Sequence, residues 1–163
     1  MVDAAHFVHR AYLGFLWCFI ITFICSPSGG KRFNVLGAVN AVTNEIITIT
    51  NETYIDSESL CQLLLKLANL GLNKPIVIVL DNAIYKKCKL VQNYAISVGI
   101  QLCYLPCYSP QLNLIEIFWQ FIRNESLGSK YYANLADFKA AISNCIATAN
   151  TDKQKKLNSL LTL

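Results

Sequence analysis

Charge is scarce in this sequence. Asp, Glu, Lys and Arg together make up 15% of its 163 positions, against 54% hydrophobic residues, where a soluble domain usually carries about 25% charge. The seven cysteines contain no CxxC pair, and the closest spacing, Cys103-x3-Cys107, has no second half. That excludes the common zinc-finger patterns. An odd cysteine count without a disulfide framework points to a reducing compartment, with the thiols packed as small apolar groups. No internal repeat and no low-complexity segment interrupts the chain.

A membrane-spanning run is missing as well. Residues Ala11 to Cys25 hold no charge over 15 positions, short of the roughly 20 apolar residues a spanning helix needs. His9-Arg10 precede this run as a signal peptide would require, but no small-x-small cleavage pattern follows Cys25. Its β-branched and aromatic content reads as one or two buried strands. A membrane anchor at 11–25 is the least favoured reading, so no membrane partner is expected.

What the chain does have is one domain's length, enough for a single substantial core. Its formal net charge is +4, which fits contact with polyanions in a general way. Val2-Asp3 lead into a strand that Ala4 to Val8 continue, although only two residues precede Asp3. Phe33 to Val42 and Glu45 to Thr50 read as strands joined at Thr43-Asn44, so the first 55 residues form an antiparallel meander. Asp56-Ser57 cap a helix carrying Leu60, Leu63, Leu64 and Leu67, which stops at Gly71. Ile76 to Leu80 is a continuous apolar run, the mark of a strand buried on both faces.

A helix over Lys86 to Val98 and a strand over Ile100 to Leu105 complete a parallel β-helix-β unit. Asn113 is expected to cap a helix through Arg123. Asn134, with Asp137 three residues on, caps another through Ala149, whose stripe is Leu135, Phe138, Ile142, Cys145 and Ile146. Residues 1–150 are thus one mixed α/β domain, and 151–163 a polar, frayed tail.

Two acids stand where a site is expected. Asp81 follows the apolar run at once, and ligands of open α/β sheets gather outside the carboxyl ends of strands; an Asp-Asn turn opener is the plainer reading. Glu116 falls at the third position of a helix capped by Asn113, where it would brace the cap. Glu116, Gln120 and Arg123 also form one polar face on an apolar helix. Between strand and helix, Pro106 and Pro110 fix the backbone, as a catalytic carboxylate requires. His6 and His9 lack a third ligand and read as ordinary strand or surface residues.

Val79–Ala83 (VLDNA), Tyr104–Glu116 (YLPCYSPQLNLIE) and Trp119 resemble the catalytic core of Tc/mariner-type transposases, specifically their bacterial insertion-sequence 630 branch. The 34 residues between Asp81 and Glu116 (116 − 81 − 1) match that family's spacing. Val2 to Phe7 resembles its first-acid segment, and Gly37 and Thr53-Tyr54 sit where relatives carry similar residues. The resemblance implies a ribonuclease-H-like mixed sheet of order 3-2-1-4-5 flanked by helices, with the first strand truncated here. It also implies an Asp3, Asp81 and Glu116 triad holding two Mg²⁺ or Mn²⁺ ions.

The implied activity is metal-dependent DNA strand cleavage and strand transfer, and the implied partner double-stranded DNA at transposon ends and target. Self-association to a homodimer is expected of an intact form, and the location is the bacterial cytoplasm. Lys86, Lys87, Lys89, Tyr108, Ser109, Asn113, Arg123 and Lys130 are the expected nucleic-acid contacts. The chain departs from the family in carrying Cys107 and Leu114 where many relatives have Pro, and in showing no helix-turn-helix region ahead of the core. A truncated, catalytically silent remnant with at most weak DNA binding is the alternative.

Overall fold

The computed structural model describes residues 1–9, 19–20, 30–72, 74–106, 109 and 112–161. The strand expectation for 11–25 therefore lies outside the described residues, apart from Phe19 and Ile20, which sit in a bend. Five strands form one sheet: β1 (Val2–Val8), β2 (Arg32–Val39), β3 (Ile46–Asn51), β4 (Ile76–Leu80) and β5 (Ile100–Tyr104). Their order is β3-β2-β1-β4-β5, as the resemblance implied. The β1–β2 and β2–β3 pairs are antiparallel, and β4–β5 is parallel. β1 is paired with β2 along its whole length, whereas its parallel ladder with β4 is the single pair Val2↔Leu80.

Alternation along β1 and β2 sorts the core into two layers. Ala5, Phe7, Phe33, Val35 and Val39 face α3 (Ile115–Leu127), α4 (Leu135–Ala149) and α5 (Gln154–Leu161). Val2, Leu36 and Ala38 face the other way, with Ile78, Leu80 and Ile100, onto α1 (Ser57–Ala68) and α2 (Lys89–Ser97). By the same parity, Asp3 lies on the α3 side of β1.

The helix signals account for most of the rest. Asp56 caps α1 by accepting from the Ser59 amide at 2.8 Å, and all four expected leucines are buried. Asn134 caps α4 through the Asp137 amide, also at 2.8 Å. Gly71 and Gly99 end their helices at φ of +64° and +71°, a conformation glycine adopts without a Cβ clash.

Four expectations need correction. The helix after β4 begins at Lys89, not Lys86, because Ile84–Lys86 form a separate 3₁₀ turn. β4 is fully covered on one face only: Ile78 and Leu80 are buried, while on the other face Val79 is half-buried and Val77 exposed. Asn113 does not cap α3, which starts one residue later behind Leu114 with no side-chain cap. The terminal segment is not a frayed tail, since α5 buries Leu157 and Leu161, one helical turn apart, in the α3–α4 layer.

Candidate functional site

Asp81 ends β4, and its Oδ1 accepts the Ala83 amide at 3.1 Å. This Asx-type turn leads directly into the 3₁₀ turn, whose last residue is Lys86. The backbone there is tied down twice more: the Lys86 amide donates to the Ala83 carbonyl at 3.0 Å, and the Tyr104 hydroxyl donates to the Lys86 carbonyl at 3.1 Å. Lys86 is thus turned inward, with no exposed surface. Its Nζ stands 2.6 Å from Asp3 Oδ1 and 2.9 Å from Asp81 Oδ1. Burial alone would lower its pKa, but the charge of Asp3, the neighbouring Tyr85 and the hydrogen bonds to both acids hold it above the ordinary 10.5. The ammonium therefore persists at neutral pH.

Glu116 approaches from α3. With α3 starting behind Leu114, Glu116 is the second residue of the helix and makes no cap, so the bracing role suggested by the sequence lapses. Burial raises its pKa above the ordinary 4.5, and a hydrogen bond donated to Asp3 and the charge of Asp3 raise it further, against Arg123 and Lys86. The Glu116 and Asp3 carboxyls thus meet, and Asp3 and Asp81 meet at Lys86. Gly37, the β2 partner of Asp3, lets α3 come this close: a Cβ there would stand 2.7 Å from Trp119 Cη2 and 3.1 Å from Ile115 Cδ1.

The other expected residues divide. Lys86 is buried and paired with two acids rather than presented on the surface. Lys87 and Lys89 are exposed beside this end of the sheet, with Lys87 Nζ 5.4 Å from the Tyr104 ring centre. Arg123 is half-buried, its guanidinium carbon 5.7 Å from the Phe7 ring centre. Lys130 donates to the Glu125 carbonyl at 2.7 Å. It lies past the far end of α3, whose axis runs about 17 Å from Glu116 to Leu127 at 1.5 Å per residue. Asn113 is buried, and its Oδ1 has no hydrogen-bond partner among the described residues. Ser109 is half-buried, and Tyr108 lies outside the described residues.

The histidines are engaged elsewhere. His6 Nδ1 shares a 2.7 Å hydrogen bond with Asn34 Oδ1, and His9 Nε2 donates to the Tyr132 carbonyl at 2.8 Å.

Three carboxylates suit a hard divalent cation as a donor set, but their arrangement does not. Among the described residues, no three His, Cys, Asp or Glu side chains are grouped to hold a metal ion. The place between Asp3 and Asp81 is taken by the Lys86 ammonium. Sequence reasoning missed that role for Lys86. The signal was the short Asp81-x4-Lys86 spacing, with no room for a helix between strand end and lysine.

A mixed sheet of this order, flanked by helices and with acids at the ends of its strands, defines a ribonuclease-H-like domain of the kind found in transposase and integrase cores. Solved structures agree: a Mos1 mariner paired-end complex with Mn matches with a TM-score of 0.67 at 13% identity, covering 98% of this chain and 51% of that one. The Mos1 strand transfer complex matches at 0.65 and 13%, covering 98% and 50%. The catalytic core of bovine immunodeficiency virus (BIV) integrase matches at 0.55 and 15%, covering 74% and 76%. The chain thus spans about half the length of the Mos1 chains.

The chain belongs to the DDE superfamily endonuclease family, whose model matches residues 23–139. That match takes in Asp81, Lys86 and Glu116 and begins after Asp3. No curated protein matches the sequence. Among the described residues, no helix is long and apolar enough to cross a membrane.

Proposed function

We propose that this chain is the catalytic domain of a DNA transposase, of the bacterial insertion-sequence 630 type. Its reaction is cleavage of DNA strands at the ends of an element and their transfer into target DNA. The catalytic acids are Asp3, Asp81 and Glu116, with Mg²⁺ or Mn²⁺, two ions, as the cofactor. The observation that supports this reading is that Asp3 of β1 lies beside Glu116 of α3 on one hand and, through Lys86, beside Asp81 after β4 on the other, within a DDE endonuclease domain. The partner is double-stranded DNA, in keeping with the transposon end held in the Mos1 paired-end complex. Lys87 and Lys89 are the exposed cations best placed beside the acids to meet its phosphates. Arg123 stands on the Glu116 side.

The test is nicking of supercoiled plasmid by the purified chain in Mg²⁺ or Mn²⁺. Wild type is expected to nick, and Glu116→Ala to lose at least about a hundredfold in rate, as when a group acting only in the transition state is removed. Equal rates in the two would sink the assignment. A second reading, a domain that keeps the fold but not the activity, is favoured by the ammonium of Lys86 lying between two of the acids. Wild type that is folded yet nicks no faster than Glu116→Ala would support it.

A further inference from the structure

We propose that Lys86 is a built-in cation that closes the acidic site to divalent metal ions: its ammonium holds the place between Asp3 and Asp81 that a shared ion would need. This rests on the reading of Asp3, Asp81 and Glu116 as the site of a DDE enzyme, and adds how that site is controlled.

The geometry carries it in three steps. First, Nζ is bonded to one oxygen of each acid, at 2.6 and 2.9 Å, so the two oxygens stand no further apart than the sum of those distances. An ion bridging them would occupy the same small space, with oxygen ligands at about 2.0–2.1 Å for Mg²⁺. Lysine supplies no oxygen, and its positive charge repels the ion at close range. Ammonium and metal therefore exclude each other.

Second, Lys86 is held in place from several directions. The Asp81–Ala83 turn, the Lys86–Ala83 amide bond and the Tyr104 hydroxyl fix its backbone, and the Tyr85 ring centre lies 5.5 Å from Nζ. The side chain is fully buried, and charge-assisted hydrogen bonds of this kind are the strong ones. Third, the lock has one open side. The Asp81 side chain is 46% exposed, against 14% for Asp3, so solvent reaches the site past Asp81.

The experiment is a Mn²⁺ titration of the metal-free chain, read by electron paramagnetic resonance of free Mn²⁺ and by the shift in melting temperature. Neither readout involves DNA or turnover. Wild type is expected to bind Mn²⁺ only weakly, with at most a small Mn²⁺-dependent rise in melting temperature. Lys86→Met is expected to melt lower without metal, to be restored by Mn²⁺, and to bind it at least about tenfold more tightly than wild type, the low end of what one adjacent charge does to an ionic equilibrium. Lys86→Met combined with Asp81→Asn should lose that gain.

Lys86→Gln, which keeps a hydrogen-bond donor without the charge, replaces Lys86→Met if the latter does not fold. A saturable wild-type site as tight as that of either variant overturns the proposal, and so does a folded neutral variant that binds no better than wild type. A neutral variant that takes up Mn²⁺ while no form nicks DNA leaves the lock standing and removes the transposase activity. Wild type that binds Mn²⁺ tightly and nicks through Glu116 does the reverse.

Discussion

Two clusters in this chain pair lysine with carboxylate, in opposite proportion and opposite surroundings. At the end of β4, one lysine serves two acids: Lys86 lies between Asp3 and Asp81, with 1% of its side chain exposed. Beside α3, one acid serves two lysines: Glu125 pairs with Lys153 at 3.4 Å and with Lys156, and the three side chains are 25%, 31% and 63% exposed. The pairing chemistry is the same, but the lysines differ in their access to water: Lys86 is buried, although Asp81 beside it is open, whereas Lys153 and Lys156 both reach solvent. Around Glu125, a lost partner is replaced by solvent, and long side chains give up entropy for a screened attraction. Around Lys86, a lost partner leaves a charge with nothing to answer it. The buried cluster is therefore committed to its geometry, and the exposed one is not.

The sharpest way to break this comparison is to remove the lysine of the buried cluster. In metal-free buffer, Lys86→Met is expected to cost about 3–5 kcal/mol, the range seen when one partner of a buried ion pair is deleted. The measurement is urea unfolding at neutral pH, with the slope compared between the two forms to confirm a common transition. A cost below about 1 kcal/mol, the exposed-pair range, would show that burial does not separate the two clusters.

A smaller effect is expected from Gly37→Ala, which tests whether apolar packing sets the geometry of the buried cluster. The new methyl would fall 2.7 Å from Trp119 Cη2, on the α3 face opposite Asp3, and Trp119 is itself buried. Overpacking of this kind costs about 1–3 kcal/mol. Because α3 must give way, Glu116 moves with it, so the variant should lose nicking rate beyond what its folded fraction explains. Unchanged stability and rate would mean that the sheet and α3 adjust independently of the acids.

Much of this arrangement is legible in the sequence, and most of the unread part has one cause. The β4 run, the α1 leucines and the caps at Asp56 and Asn134 are local signals, each settled by a few neighbouring residues. The sheet order came with the family resemblance, and the observed sheet has it. Lys86, Lys87 and Lys89 look alike on the page, however. Which of them is swallowed depends on whether the chain leaves Asp81 through a 3₁₀ turn or straight into a helix. That is a difference of phase over three residues, and composition does not record it. Leu114 in place of Asn113 at the start of α3 is the same kind of one-residue shift, and it removes the structural role expected of Glu116. The C-terminal segment misled for another reason: its four lysine and aspartate positions outweighed Leu157 and Leu161, whose helical spacing was the truer guide.

The smallest effect belongs to the exposed cluster. Glu125→Gln is expected to cost about 0.2–1 kcal/mol at low salt, and less at 1 M salt, where charges are screened within about 3 Å. Its pH dependence has a definite sign. The hydrogen bond from Lys156 holds the Glu125 carboxyl below the ordinary 4.5; slight burial opposes this, and Lys153 and the charges of both lysines add to it. A depressed carboxylate contributes stability that is fully present above 4.5 and is lost as pH falls through its folded value. The difference between wild type and Glu125→Gln should therefore be constant well above 4.5 and narrow as pH falls below it. Thermal unfolding across that range checks it. A cost matching that of Lys86→Met, or one indifferent to salt, would mean that Glu125 is structurally committed despite its exposure, and the contrast between the two clusters would rest on something other than water.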